Sequence, residues 1–169
     1  GNEVIELELD ENFQLTKEEF LAKTKHSGAK VLFLCTPNNP TGNSISDLEF
    51  YIENFDGIVV IDEAYIEFSD KASIASKLNQ YDNLIVLQTL SKAWGMAGLR
   101  IGMALASEFI ISLFNRTKSP YNISAINIEK ALIGIDQLET FETNLAYLKV
   151  QKELFYSQLS QIDSVIKIY

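Results

Sequence analysis

Apolar and polar positions along this chain follow two periods, one of two residues and one of three to four. Val4-Ile5-Glu6-Leu7-Glu8-Leu9 alternates and predicts a strand. Thr16-Lys17-Glu18-Glu19 has the form of a capping box, so a short helix is expected from Thr16 to about Lys25. Val31-Leu32-Phe33-Leu34-Cys35, Ile58-Val59-Val60-Ile61 and Leu84-Ile85-Val86-Leu87 are unbroken apolar runs, the pattern of strands covered on both faces. Between them, Ser44-Ile45-Ser46-Asp47 opens a helix to about Asn54, and another helix falls near residues 72–79. Residues 100–106 predict one more strand, and Ser107-Glu108 starts a helix in a segment that Pro120 ends. From Asn127 the period becomes helical, with Leu138, Phe141, Leu145, Leu148, Phe155, Leu159 and Ile162 at three- and four-residue steps. One long helix is expected there, or one broken near Gly134, its weak point, before a terminal strand at 165–169. Strands and helices that alternate in this way imply an α/β fold with a mainly parallel sheet, flanking helices and right-handed crossovers.

Composition narrows function more than fold. At 169 residues, with 47% hydrophobic and 22% charged positions, the chain can bury one good core. Its formal charge of −9 argues against nucleic acid as a partner, because a phosphate backbone would be repelled. Cys35 is the single cysteine, which excludes an internal disulfide framework and suits a reducing compartment. His26 is the single histidine and reads as an exposed turn residue, so no Cys/His metal site is expected. No apolar run approaches the roughly 20 residues that span a bilayer, and no basic stretch precedes an apolar one at the start. A cytoplasmic protein with no membrane partner is expected.

Candidate chemistry collects at strand ends. Thr36-Pro37-Asn38-Asn39-Pro40-Thr41-Gly42 follows the strand at 31–35, and its prolines hold Asn39 in a rigid turn. A plain Asn-Pro turn explains the same residues in isolation. Asp62-Glu63-Ala64-Tyr65 closes the next apolar run. A carboxylate at the end of a buried strand is costly unless paired, so Asp62 asks for a cationic partner, unless it caps a helix or meets a neighbouring lysine. Glu63 points to the opposite face by strand alternation. The loop Thr89-Leu90-Ser91-Lys92-Ala93-Trp94-Gly95-Met96-Ala97-Gly98-Leu99-Arg100 joins two strands and carries two hydroxyls, an amine and a guanidinium. A lysine in such a loop is ordinarily only a solvated charge. Parallel topology, however, brings all of these loops to one sheet edge. Together they match a single ligand: an amine condenses with an aldehyde, a carboxylate keeps a pyridine nitrogen protonated, a phenol and an amide bond a ring hydroxyl, and hydroxyls with a guanidinium bind a phosphate ester. That ligand is pyridoxal 5′-phosphate (PLP). A nicotinamide site is disfavoured, since Gly95-Met96-Ala97-Gly98 forms no G-x-G-x-x-G after a strand.

Asn39-Pro40-Thr41-Gly42, Asp62-Glu63-Ala64-Tyr65 and residues 91–100 resemble the signatures of fold-type I PLP-dependent aminotransferases. Within that superfamily, residues 9–15, the doubled Asn38-Asn39, Gln88-Thr89-Leu90-Ser91-Lys92 and Pro120-Tyr121-Asn122 are most similar to the histidinol-phosphate aminotransferase family, and the similarity runs through essentially the whole chain. The resemblance implies that Lys92 links the cofactor covalently and carries the proton of the reaction. It implies that Asp62 pairs with the pyridine nitrogen and that Tyr65 and Asn39 bond the ring oxygen. Thr89, Ser91 and Arg100 would bind the phosphate. The implied reaction moves an amino group between L-histidinol phosphate and 2-oxoglutarate.

The same resemblance implies that residues 1–125 are an incomplete PLP-binding large domain, 126–162 a long interdomain helix, and 163–169 the start of a C-terminal small domain. Family members are longer, so this chain is expected to be a central part of a homodimeric enzyme and not to turn over by itself. Other classes stay open. One is another PLP enzyme on this scaffold, an aromatic aminotransferase or a threonine-phosphate decarboxylase. Another is a non-catalytic PLP-binding regulator or scaffold domain.

Overall fold

The computed structural model describes residues 3–168. They form two compact units, one of residues 3–88 with 103–120 and the other of residues 89–102 with 121–168.

The first unit is built on a four-stranded sheet in the order β1 (Val31–Cys35), β2 (Ile58–Asp62), β3 (Leu84–Thr89), β4 (Gly102–Ala106). The apolar runs form the strands, and β1–β2 and β2–β3 pair in parallel. Their register sets Cys35 opposite Asp62, so β1 and β2 end level and the loops that follow these two strands emerge at one edge, while β3 runs on past Leu87 to Thr89. Strand alternation then divides the core. Leu32, Leu34, Val59, Ile61, Leu84 and Val86 face Phe20 of α1 (Lys17–Thr24) and Tyr51 and Ile52 of α2 (Leu48–Asn54). Val60 and Ile85 face the other way, onto Ile110 of α3 (Glu108–Thr117). Phe20 is fully buried and meets the Tyr51 ring edge-on at 5.1 Å, while the Tyr51 hydroxyl donates to the Leu15 carbonyl. A buried aromatic cluster with its one polar tip satisfied is a stable way to seat two helices on a sheet.

Several expectations change here. Residues 4–9 form no strand, because a strand needs a ladder partner and only a Leu9–Leu15 bridge is made. Asp10 instead reverses the chain, its carboxylate accepting the Asn12 and Gln14 N–H groups, each at 2.8 Å. The Thr16 cap does form, accepting from Glu19 N at 3.2 Å, but the Glu19 carboxylate receives Glu8 N rather than closing the reciprocal half of the box. β1 is covered on one face only: Val31 and Phe33 are 48% and 69% exposed, since α3 packs on β2 and β3. The expected helix near 72–79 is a 3₁₀ segment, Ile74–Gln80, and α2 starts at Leu48, after Asp47 in a left-handed conformation. A wide apolar cleft of about 940 Å³ runs beside β1, lined by Val4, Leu7, Leu9, Val31 and Phe33 among others.

The second unit holds the loop 89–102 with α4 (Ala125–Ile135) and α5 (Leu138–Leu159). The helical stretch expected from Asn127 is thus two helices, broken just after Gly134. The Asp136 N–H caps α4 on the Leu132 and Gly134 carbonyls, and Gln137 leaves the helical region before α5 begins. Residues 165–168 form no strand, and Tyr169 lies outside the described residues. No helix among the described residues is long and apolar enough to cross a membrane.

Candidate active site

In the first unit the site residues sit just past the ends of β1 and β2. The turn after β1 is closed by Gly42 N and Asn38 N, which bond the Asn38 and Asn43 carbonyls, each at 2.8 Å. Gly42 has φ +74°, the left-handed region that favours glycine, so the turn needs this residue. The buried Thr36 hydroxyl accepts Ile45 N at 3.0 Å and ties the turn to the chain that leads into α2. Asn39 projects from this frame, and its Nδ2 donates to the Tyr65 hydroxyl at 3.1 Å. The expected pairing of phenol and amide is therefore made, between residues 26 positions apart.

Asp62 is half-buried at the last position of β2, with Oδ1 accepting Ala64 N at 3.0 Å. It acts neither as a helix cap nor as a partner to a lysine: no ion pair reaches it among the described residues. Its charge remains for a ligand to meet. Cys35, across the ladder from Asp62, is no competing nucleophile, because burial pushes its thiol pKa up.

In the second unit the loop 89–102 is folded by its own backbone. Leu90 N donates to Ile101 O at 3.2 Å, Met96 N to Leu90 O at 3.0 Å, and Gly95 N to Lys92 O at 2.9 Å, so that Lys92 opens a tight turn. Thr89 Oγ1 donates to Ile101 O and accepts Ser91 N, both at 3.1 Å, which sets these two hydroxyl residues side by side. Lys92 and Arg100 are exposed. Arg100 adopts φ 56° and ψ 41°, a left-handed conformation unusual for a residue with a side chain. Strain of this kind persists only where surroundings impose it. Here the Leu99 carbonyl just before it is held by Asn127 Nδ2 of α4 at 3.0 Å.

Helices α4 and α5 grip this loop in two further ways. The Trp94 and Phe141 rings stack with centroids 3.9 Å apart and planes 11° from parallel. Gly134 lies against Met96 so closely that a Cβ there would overlap the Met96 sulfur. In the sequence Gly134 shows only as the weak point of a helix. Asn127, Trp94, Phe141 and Gln88 give no sign there of their role as supports, and only Glu63, a second carboxylate at a buried strand end, carries a signal for such a role.

The donor set fits PLP. An unpaired half-buried carboxylate, a phenol–amide pair, two adjacent hydroxyls, an exposed amine and an exposed guanidinium are what its ring nitrogen, ring oxygen, phosphate and aldehyde require.

Comparison with known proteins agrees with this chemistry. The family described as "Aminotransferase class I and II" matches residues 1–168. A histidinol-phosphate aminotransferase of Flavobacterium johnsoniae is 41% identical over 166 residues, 97% of this chain and 47% of that protein. The crystal structure of a putative histidinol-phosphate aminotransferase from Erwinia carotovora atroseptica superposes with a TM-score of 0.80 at 28% identity, covering 90% of this chain and 46% of that one. A histidinol-phosphate aminotransferase of Sinorhizobium meliloti, solved in complex with pyridoxal-5′-phosphate, shares the fold with a TM-score of 0.74 at 24% identity, covering 82% of this chain and 39% of that one. The chain spans about half the length of the curated relatives it matches.

Proposed function

The chain belongs to the aminotransferase class I and II family, whose members depend on PLP, and on that premise we propose that the complete protein transfers an amino group from L-histidinol phosphate to 2-oxoglutarate. The names of its relatives support the donor. The observation that carries the reading is the Asn39–Tyr65 hydrogen bond of 3.1 Å, which joins two loops at the point where a ring oxygen needs two donors.

When bound, the cofactor supplies an aldehyde for the amino group and an electron-withdrawing ring. Lys92 Nζ would hold it covalently, and as an amine it would carry the proton of the substrate α-carbon. Asp62 keeps the ring nitrogen protonated, the state in which the ring withdraws electrons most strongly. Tyr65 and Asn39 bond the ring oxygen, each fixing the direction of the other. Thr89, Ser91 and Arg100 would hold the phosphate ester, with Arg100 Nη1 donating to the Ala97 carbonyl of the same loop at 3.3 Å.

The complete protein is read as a cytoplasmic homodimer acting on small molecules, with no nucleic acid or membrane partner. Apolar side chains exposed on α4 and α5, Leu132, Leu154 and Phe155 among them, support an interface. The test is direct. Full-length protein with added PLP is expected to show the visible absorption band of a lysine-bound cofactor, and Lys92→Ala to lose it along with at least about a thousandfold in turnover. Glutamate formation from L-histidinol phosphate and 2-oxoglutarate should exceed that from aromatic amino acids. Carbon dioxide release from threonine phosphate would replace the aminotransferase reading.

A further inference from the structure

Glu63 is the one buried charged side chain among the described residues, at 1% exposure. It stands next to Asp62, on the other side of the strand end, and extends the ladder by donating its backbone N–H to Leu87 O at 2.8 Å. Its carboxylate is filled by neutral donors: Ile74 N at 2.9 Å, Gln88 Nε2 at 3.0 Å and the Ser73 hydroxyl. Gln88 Nε2 also lies 3.2 Å from Ser73 Oγ, which closes the network. No cation pairs with Glu63 among the described residues.

Burying a carboxylate without a cation is expensive, and an apolar side chain of the same size would pack here without that cost. Stability alone therefore gives no reason for Glu63. Its position does, because it clamps the end of β2 simultaneously to β3, through Gln88, and to the start of the 3₁₀ segment, through Ser73 and Ile74. We propose that Glu63 is a positioning residue for Asp62, locking the strand end so that the Asp62 carboxylate keeps its direction toward the cofactor's ring nitrogen. This rests on the cofactor reading of Asp62.

The test uses the full-length protein and three variants, each measured for PLP affinity, for the pH midpoint of the bound cofactor's absorption, and for melting of the cofactor-free form. Glu63→Leu removes all three acceptor contacts. It is expected to weaken PLP binding about tenfold and to move the absorption midpoint, which reports the lysine–cofactor imine nitrogen, upward, since a ring nitrogen poorly partnered by Asp62 loses its proton more readily and then withdraws less electron density from that imine. Glu63→Gln should restore both to near wild-type values, because the Gln88 amide can turn its oxygen toward the new amide. Gln88→Ala leaves Glu63 two donors and should shift both readouts in the same direction by about threefold or less, deciding the matter even where Glu63→Leu does not fold. A purely structural Glu63 would change only the melting temperature. Variants whose PLP affinity and midpoint match wild type, while Lys92→Ala abolishes the band, overturn this inference alone. A wild-type protein with no band overturns the cofactor reading on which it stands.

Discussion

The strand ends of the first unit and the lysine loop of the second are built on different principles. Asn39, Asp62 and Tyr65 are placed by parallel strands that end level and by side chains that bond one another directly. Thr89, Ser91, Lys92 and Arg100 lie on a loop whose backbone closes on itself, and whose outer side is held by α4 and α5 through Asn127, Gly134 and Phe141. The charge recognition proposed for Asp62 thus sits on a sheet edge, where a small misdirection is costly. The lysine proposed for covalent attachment sits on a loop that helix packing shapes. A mutation near the sheet edge should therefore change chemistry with little loss of stability, and a mutation under the loop should do both.

The largest expected effect after loss of Lys92 comes at the sheet edge. Asp62→Ala should lower turnover by about a thousandfold, as for removal of a preorganised electrostatic partner, while leaving the melting temperature nearly unchanged. Equal loss of stability and activity would erase the distinction between the two regions. Next is Gly134→Ala, where two effects of opposite sign compete. Helix propensity favours alanine by about 0.5–1 kcal/mol, but the overlap with Met96 costs about 1–3 kcal/mol, so net destabilisation is expected in thermal unfolding. Met96→Ala in the same protein should relieve it, a non-additivity that locates the contact. Tyr65→Phe should cost about 0.5–1.5 kcal/mol in cofactor affinity by removing the acceptor for Asn39 Nδ2, with little change in melting.

The smallest effect lies away from both regions and serves as a baseline. Lys77 hydrogen-bonds Glu49 and holds its carboxyl pKa below the usual glutamate value. Because the folded pKa is depressed, this pair stabilises the fold above the unfolded pKa of Glu49, and the contribution disappears as pH falls through the folded value. Both side chains are more than a third exposed, so solvent screens the pair. Wild type and Lys77→Ala should differ slightly in melting near neutral pH and converge in acid.

Much of this was legible in the residues themselves. The apolar runs at 31–35, 58–61 and 84–87 became strands because continuous runs of branched side chains are stable when packed; helices cover both faces of β2 and β3, and one face of β1. Thr16 capped α1 because a hydroxyl three residues before an N–H needs nothing distant. The alternating segment at 4–9 failed for the converse reason: pairing is not a local property, and among the described residues it makes only the Leu9–Leu15 bridge. Gly134 was visible only as a poor helix residue, since the contact that explains it is with Met96, 38 positions away.

By itself, then, the sequence determined the types of group available to a cofactor and the strand ends that carry them, because residue identity and short-range periodicity are local. Tertiary structure alone decided that Asn39 meets Tyr65, that Asp62 lies half-buried at the end of a strand with its carboxylate on Ala64 N, that Glu63 is buried among neutral donors, and that α4 and α5 support the lysine loop. Each of these depends on contacts between segments far apart in the chain, which exist only once strand register and helix packing have been set.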